Sequence, residues 1–178
     1  NPKITAVGLF VDKEEIGSVG NTSMTAKFFE NMVAEILSRR ENYSDIMVRH
    51  AMSRSHVLSA DVTAAFDPDH DYAYEKLNSG YVGYGVAMSK YTGAKGKAGS
   101  NDANPEFLAK IRDLFAENKV IWQTAELGKV DQGGGGTIAY ILAEYGAEVV
   151  DMGVAMLSMH APVELLSKAD AYMTYKAY

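Results

Sequence analysis

Short apolar runs alternate along the chain with segments of helical periodicity, and this alternation constrains the fold more than any other feature. Residues 4–11, 83–91, 120–123 and 149–155 are predicted to be strands. These runs are short, apolar and partly β-branched, as buried strands are. A Gly- and Lys-rich stretch, 92–101, is predicted to be a loop. Alternating strands and helices predict the α/β class with a mixed, mostly parallel sheet.

Apolar side chains at three- and four-residue spacing predict the helices that separate these strands. One helix covers 28–37. A second opens at Pro105, where the missing N–H of proline costs little. A third carries Ile138 on its apolar face and ends before Gly146, a residue that commonly terminates helices. The segment from Val163 onward is also predicted to be helical.

Composition limits the kinds of site that the chain can build. It contains no cysteine, which excludes disulfides and thiolate metal sites. A bound metal must therefore be held by His, Asp and Glu, a donor set that suits catalytic zinc, manganese or cobalt. The net charge is -6, which argues against a nucleic-acid partner because phosphate binding needs a basic face.

Targeting signals are also missing from the pattern. No apolar run approaches the roughly 20 residues of a transmembrane helix. The first residues lack the basic and apolar regions of a signal peptide. We therefore expect a cytoplasmic protein that has no membrane partner.

Two adjacent acids, Glu14 and Glu15, follow directly on the first predicted strand. Side chains of neighbouring residues diverge in an extended backbone. One carboxylate can therefore bind a metal while the other acts as a general base toward a metal-bound water. An acidic pair in a loop is more often a solvated surface feature. The apolar run before the pair, and Gly17 and Gly20 after it, favour a site.

Asp61 and His160 each follow an apolar run. In open α/β sheets, ligands bind beyond the ends of strands. Each residue also has a simpler interpretation. Asp61 could cap a helix or lie on the surface, and His160 could be a hydrogen-bonded core histidine. No flanking pattern distinguishes the other histidines of the chain.

A run of four glycines, 133–136, precedes the third predicted helix. Helix N-termini favour anions, but neither of the common glycine-rich phosphate-binding motifs is present. Two interpretations remain open. The run could form a tight strand-to-helix turn, or it could form a backbone wall close to a ligand, since glycine has no side chain to block the approach.

Four stretches together resemble the aspartyl-aminopeptidase (aminopeptidase I) family of metallopeptidases. They are Asp-Lys-Glu-Glu-Ile-Gly-Ser at 12–18, Ser-Ala-Asp-Val at 59–62, Gly-Lys-Val-Asp-Gln-Gly-Gly-Gly-Gly-Thr at 128–137 and Leu-Ser-Met-His-Ala-Pro at 157–162. The similarity covers essentially the whole chain in the right order. It implies a three-layer zinc-exopeptidase-like fold and an aminopeptidase that removes one N-terminal residue at a time, with acidic residues as the first expectation.

The resemblance also implies roles for the acids and the histidine. Glu14 resembles the general base that activates a bridging water. Glu15 and His160 resemble ligands of one metal, and Asp61 resembles a ligand of the other. The expected cofactor is therefore a pair of divalent ions, zinc first, with manganese or cobalt as alternatives.

The substrate side is implied in the same way. The loop 131–137, which includes Asp131, Gly134 and Gly135, resembles the family's substrate-side wall. Lys90 resembles a lysine that meets the acidic side chain of the substrate. The expected partners are a peptide substrate and further copies of the same chain in a large homo-oligomer.

Family chains are much longer than this one and contribute further ligands upstream, a His in a His-x-Asp stretch and a bridging Asp. Residues 1–178 are therefore expected to be the C-terminal half of the catalytic domain, without the upstream half and the dimerisation domain. Alone they are expected to be inactive. Two alternatives remain: a non-catalytic remnant or binding module of the same fold, and another clan of dinuclear exopeptidases.

Overall fold

The computed structural model describes residues 3–95, 97–129, 131–136 and 138–178. The chain divides into two compact units, Asn1–His50 (unit 1) and Ala51–Tyr178 (unit 2). Within these described residues, no helix is both long enough and apolar enough to cross a bilayer.

Unit 1 contains a short 3₁₀ helix and α-helical segments. The 3₁₀ helix is Glu14–Ile16, and the first α-helix is α1 (Phe28–Ser38). The chain passes into unit 2 within α2 (Asp45–Ser53). The predicted helix at 28–37 is confirmed, because its apolar periodicity is a local signal that needs no distant partner.

The predicted strand at 4–11 is wrong. These residues are irregular, and the side chains of Ile4, Val7 and Phe10 are 78%, 53% and 98% exposed. A strand needs a neighbour whose N–H and C=O groups complete the ladder. In the described part of unit 1 no strand is present to supply them. Apolar composition alone therefore did not suffice to form a strand here.

Unit 2 is built on a mixed sheet. Its strands, with those of a separate hairpin, are β1 (His56–Ala60), β2 (Thr63–Ala64), β3 (Val86–Ser89), β4 (Tyr91–Ala94), β5 (Ala98–Asp102), β6 (Trp122–Thr124), β7 (Glu148–Leu157) and β8 (Leu165–Leu166). Its helices are a 3₁₀ segment (Pro68–Ala73), α3 (Pro105–Glu117), α4 (Ala139–Ala143) and α5 (Lys168–Ala177).

The strand order is β1-β7-β3-β6, with β2 and β8 also paired to β7. The β1–β7, β2–β7 and β3–β6 pairs are parallel, and the β3–β7 and β7–β8 pairs are antiparallel. This arrangement confirms the predicted α/β class with a mixed, mostly parallel sheet. The strand at 149–155 is confirmed and is the central one.

The two faces of the sheet carry side chains of different size. On one face, Val150 and Met152 of β7 and Val86 of β3 pack with Phe107 and Phe115 of α3. Burying each such side chain contributes about 1.5–3 kcal/mol. The opposite face is lined by small residues that pack together in a separate cluster. They are Ala65, Ala87, Ala125 and Ala155.

Helix α3 begins where the sequence predicts. Pro105 occupies its first turn, and the side chain of Asn104 accepts hydrogen bonds from the N–H groups of Glu106 and Phe107 at 2.9 and 3.2 Å. A cap of this kind stabilises a helix by about 1 kcal/mol. The face of the sheet that carries the larger side chains is therefore covered by a capped helix, α3.

The predicted loop at 92–101 is wrong, because β4 and β5 form an antiparallel hairpin there. Glycine made the segment look irregular in sequence. Gly93 has φ 132°, and a Cβ at that position would overlap the Ser100 side chain. Glycine is therefore what lets the two strands approach each other here.

The C-terminal segment is only partly helical as predicted, since β8 precedes α5. The carboxylate of Asp170, which is 1% exposed, accepts hydrogen bonds from the N–H groups of Gly83 and Gly85 at 2.6 and 2.8 Å. Hydrogen bonds to an ionised acceptor are stronger than neutral ones. This carboxylate fixes α5 to the segment that enters β3.

Candidate functional site

The acidic pair of unit 1 lies in a tight turn. Glu14 and Glu15 form the 3₁₀ helix, which Lys13 at φ 67° and Gly17 at φ 87° close at its two ends. Glu14 is half-buried and Glu15 is exposed. Successive side chains of a 3₁₀ helix point about 120° apart. The two carboxylates therefore diverge because of the 3₁₀ turn, and the extended backbone from which the sequence analysis derived their divergence is wrong.

The turn before the pair is held by polar contacts. The Asp12 carboxylate pairs with the Lys13 ammonium at 2.6 Å and accepts a hydrogen bond from the Thr22 hydroxyl at 3.0 Å. These two side chains hold the pKa of Asp12 below its usual value. The carboxylate that precedes the pair is thus committed to local contacts.

In unit 2, Asp61 lies between β1 and β2. Its Oδ1 accepts a hydrogen bond from the Val62 N–H at 2.7 Å, and the residue is half-buried. Its carbonyl group lies against Gly153 of β7, where any Cβ would overlap the Asp61 oxygen. Glycine at 153 therefore fixes how closely this break between the strands approaches β7.

His160 lies in the loop between β7 and β8 and is exposed, so its interpretation as a core histidine is wrong. Its backbone φ is 67° and that of Ser158 is 60°. Its N–H donates to Oε1 of Glu164 at 2.8 Å. Left-handed backbone is uncommon for residues other than glycine, so this loop has a defined conformation rather than an extended one.

The register of β7 relates these residues within unit 2. Asp61 lies opposite the middle of β7, beside Gly153, whereas His160 is three residues beyond Leu157. Over the residues that the structure describes, no group of three or more His, Cys, Asp or Glu is arranged to hold a metal ion. The residue types suit a divalent cation, but the described residues do not assemble a complete site.

A buried polar row was missed by the sequence reasoning. Asp151, Ser59 and Ser89 pair in register across β7, β1 and β3 and are only 5%, 2% and 8% exposed. The signal was a single acid inside the apolar run 149–156. Burial, together with the Asp61 and Asp151 carboxylates, raises the pKa of Tyr178, whose hydroxyl donates to the Met152 carbonyl.

Lys90 follows β3 directly and has two close partners. Its ammonium forms an ion pair with the carboxylate of Asp102, and it lies 4.4 Å from the centre of the Tyr91 ring. Tyr91 and Asp102 are themselves paired across the β4–β5 hairpin. The Lys90 side chain is 29% exposed and that of Asp102 is 67% exposed.

A cavity of about 360 Å³ lies between the hairpin and the glycine-containing loop. Gly134 and Gly135 line it, as do polar and apolar side chains of both segments. Among the residues that the structure describes, the lining is Tyr91, Thr92, Gly93, Ser100, Asn101, Asp102, Glu126, Leu127, Gly128, Lys129, Gly133, Gly134 and Gly135. Asp131 is exposed, with φ 67°, and is not part of this lining. Thr137 of the predicted wall lies outside the described residues.

The glycine run packs against the hairpin through its backbone. The N–H of Gly93 donates to the Gly135 carbonyl at 2.8 Å, and that of Lys95 donates to the Gly133 carbonyl at 2.7 Å. A Cβ at Gly134 would overlap the Gly93 carbonyl. The glycines therefore permit close backbone contact and form one wall of the cavity. They do not form a tight strand-to-helix turn, because β6 ends at Thr124 and α4 begins only at Ala139.

Lys90 and His160 lie toward opposite ends of β7. Ser89, which precedes Lys90, pairs with Asp151, whereas the His160 loop begins after Leu157. Asp151 and Leu157 are six positions apart on the strand, or about 20 Å at 3.3 Å per residue. Asp61, beside Gly153, lies between them along the strand.

Comparisons with known proteins identify the family of the chain. The model of the aminopeptidase I zinc metalloprotease family (M18) matches residues 1–178. A protein of Clostridium acetobutylicum named "Probable M18 family aminopeptidase 1" is 57% identical over 178 residues, which are 100% of this chain and 38% of that protein. The crystal structure of aminopeptidase I from the same organism has a TM-score of 0.83, covering 94% of this chain and 36% of the other.

Two further structures are similar. An M18 aminopeptidase from Thermotoga maritima is 48% identical with a TM-score of 0.88, covering 94% of this chain and 38% of that one. The S. cerevisiae mApe1 dodecamer, at 23% identity and a TM-score of 0.74 over 94% of this chain and 35% of that one, shows likeness of fold alone. The chain thus spans less than half the length of the relatives it matches. Because the family model matches every residue, the chain belongs to the aminopeptidase I zinc metalloprotease (M18) family.

Proposed function

We propose that this chain is part of a metal-dependent aminopeptidase, an enzyme that hydrolyses the first peptide bond of a peptide. The observation that carries the proposal is the family match over residues 1–178. It is supported by a relative that is 57% identical and named an M18 family aminopeptidase. The same match favours this family over the other clans of dinuclear exopeptidases.

The proposed roles follow from the resemblance of the sequence stretches that contain these acids and the histidine. Glu15 and His160 would hold one divalent ion and Asp61 the other, with zinc as the first choice and manganese or cobalt as alternatives. Such ions lower the pKa of a bound water and polarise a carbonyl oxygen. Glu14 would accept the proton from the attacking water and return it to the departing amine.

The conformation of the His160 loop supports a functional role for that residue. Its imidazole is exposed rather than packed in the core, and two non-glycine residues of the loop have positive φ. Backbone strain of this kind is concentrated at functional sites. The Glu164 contact to the His160 N–H helps to hold the loop in this conformation.

The substrate side is proposed to include the cavity, which Gly134 and Gly135 line, and Lys90, which precedes the lining residue Tyr91, with Asp131 nearby in sequence. A cavity of about 360 Å³ lies within the size range of small-molecule sites, roughly 300–1,000 Å³. An acidic substrate preference would require the Lys90 ammonium to be available to the substrate. Because the Lys90 ammonium is already paired with the Asp102 carboxylate, an acidic substrate would have to compete with Asp102 for it.

The chain is proposed to act as the C-terminal half of a catalytic domain, and as a cytoplasmic homo-oligomer. It covers 38% of the length of the relative named above. One solved structure of similar fold is described as a dodecamer. Alone, residues 1–178 should hydrolyse nothing.

The second candidate, a non-catalytic binding module, is favoured only by the lack of a metal-binding group of three among the described residues.

The test uses the protein encoded by the complete reading frame that contains these residues. Glu14→Gln should leave the metal content unchanged and lower kcat by about 10²–10⁴, as loss of a general base does. Glu35→Gln, the same change at an exposed position of α1, is the matched control and should keep full activity. Undiminished turnover in Glu14→Gln would contradict the assignment, and an unmodified protein that releases no N-terminal residue would contradict the function.

A further inference from the structure

We propose that Asp102 determines side-chain preference by neutralising Lys90, so that the cavity takes a neutral rather than an acidic N-terminal residue. This inference rests on the proposed aminopeptidase function and concerns the same substrate side. It replaces the expectation of an acidic preference drawn from the sequence.

The ion pair is built into the hairpin. Tyr91 and Asp102 are register partners in β4 and β5, and Lys90 is the residue before Tyr91. The Lys90 ammonium is therefore flanked by a carboxylate and by an aromatic ring at 4.4 Å. Both contacts favour a cation. An incoming carboxylate would have to compete with Asp102 for this ammonium.

The charges around the cavity also disfavour an acid. Its walls carry two carboxylates, Asp102 and Glu126, and one ammonium, Lys129. With Lys90 beside the wall, the positive and negative charges are equal in number. A buried carboxylate is costly unless it gains a partner of opposite charge, and here a substrate acid would add a third negative charge against two positive ones.

The remaining walls suit a neutral side chain. Tyr91 and Leu127 present apolar surface, and five glycines expose backbone without side chains. An aliphatic side chain loses no hydrogen bonds to water when it enters such a space, and it gains about 25 cal/mol per Å² of apolar area removed from water.

The experiment measures kcat/KM for leucyl and glutamyl p-nitroanilides with the protein of the complete reading frame. The unmodified protein should prefer the leucyl substrate. Asp102→Asn should raise the glutamyl-to-leucyl ratio about tenfold, because a partly buried ammonium loses its competing carboxylate. Adding Lys90→Met to that variant should return the ratio to its original value.

The matched control is Asp113→Asn, which removes one negative charge from an exposed position of α3 and should leave the ratio unchanged. A preference for the glutamyl substrate in the unmodified protein would overturn the proposal, as would a ratio that Asp102→Asn does not move.

Calorimetric binding of free leucine and free glutamate separates this proposal from the proposed function. Leucine should bind more tightly to the unmodified protein, and Asp102→Asn should narrow the difference, whether or not peptides are hydrolysed. Absence of hydrolysis would then contradict the function alone. Equal changes in the binding of both amino acids would contradict the role of Asp102.

Discussion

The two ends of β7 differ in how much of a site they hold within unit 2. Toward its start, where Ser89 pairs with Asp151, the hairpin that follows Lys90 meets the glycine run and encloses a cavity of about 360 Å³. Beyond its end, His160 is exposed on a loop of positive-φ residues. The first region is formed by contacts between segments of one unit. The second presents a metal-ligand candidate that needs further groups to complete a site.

This difference shows what unit 2 forms by packing alone. Backbone hydrogen bonds between the hairpin and the glycine run define the cavity walls. A metal site requires at least three converging ligands, and the described residues contain no such group. Substitutions in the cavity region should therefore lower the stability of the protein. Substitutions in the His160 loop should instead lower its metal content.

The largest expected effect is at Gly153, where β7 meets the carbonyl of Asp61. Gly153→Ala should lower the free energy of unfolding by about 3 kcal/mol, because overpacking forces the strands apart. Denaturant titration measures it. Gly8→Ala, at a glycine with no atom within 4 Å of the added Cβ, is the control. A Gly153→Ala protein as stable as the control would refute the close approach.

The cavity wall is expected to be less sensitive. Gly134 has φ 93°, and a Cβ there would overlap the Gly93 carbonyl. Gly134→Ala should cost about 2 kcal/mol from backbone strain and from the overlap of the added Cβ with the hairpin, and it should weaken leucine binding. Gly83→Ala shares the positive φ, at 94°, with no atom within 4 Å of the added Cβ, so it isolates the strain. Equal losses in the two variants would show that the wall is not packed as described.

The smallest effect on stability is expected at His160. His160→Ala should change the free energy of unfolding by no more than about 0.5 kcal/mol, as exposed substitutions do. Metal content, measured by elemental analysis of the complete protein, should nevertheless fall. His70→Ala, at another exposed histidine, should leave metal content unchanged. Full metal occupancy in His160→Ala would remove the contrast between the two ends of β7.

The sequence predicted the elements whose signals are local. Helix α3 was located by Pro105 and by its apolar periodicity, and its Asn104 cap lies one residue earlier. The strand at 4–11 was predicted wrongly, because a strand depends on a neighbour that composition does not reveal. The hairpin was missed for a related reason, since Gly93 weakens the strand pattern while it permits the cross-strand contact.

The sequence indicated where along the chain the candidate residues lie, but it did not indicate which residues they contact. Asp61 and His160 were predicted because each follows an apolar run, and the structure places each beyond the end of a strand, β1 and β7. The Lys90–Asp102 pair could not be found, because it depends on the register of β4 and β5. Asp151 was overlooked because the buried polar row that it forms depends on the strand register, which places Ser59 opposite it.

Metal dependence of N-terminal residue release by the complete protein tests the central claim most directly. Release of leucine from a leucine-initiated peptide should stop when a chelator removes the metal and should return when zinc is added back, since the proposed mechanism needs a cation to lower the pKa of the attacking water. Release that continues undiminished in the metal-free protein, or that zinc, manganese and cobalt all fail to restore, would contradict the account.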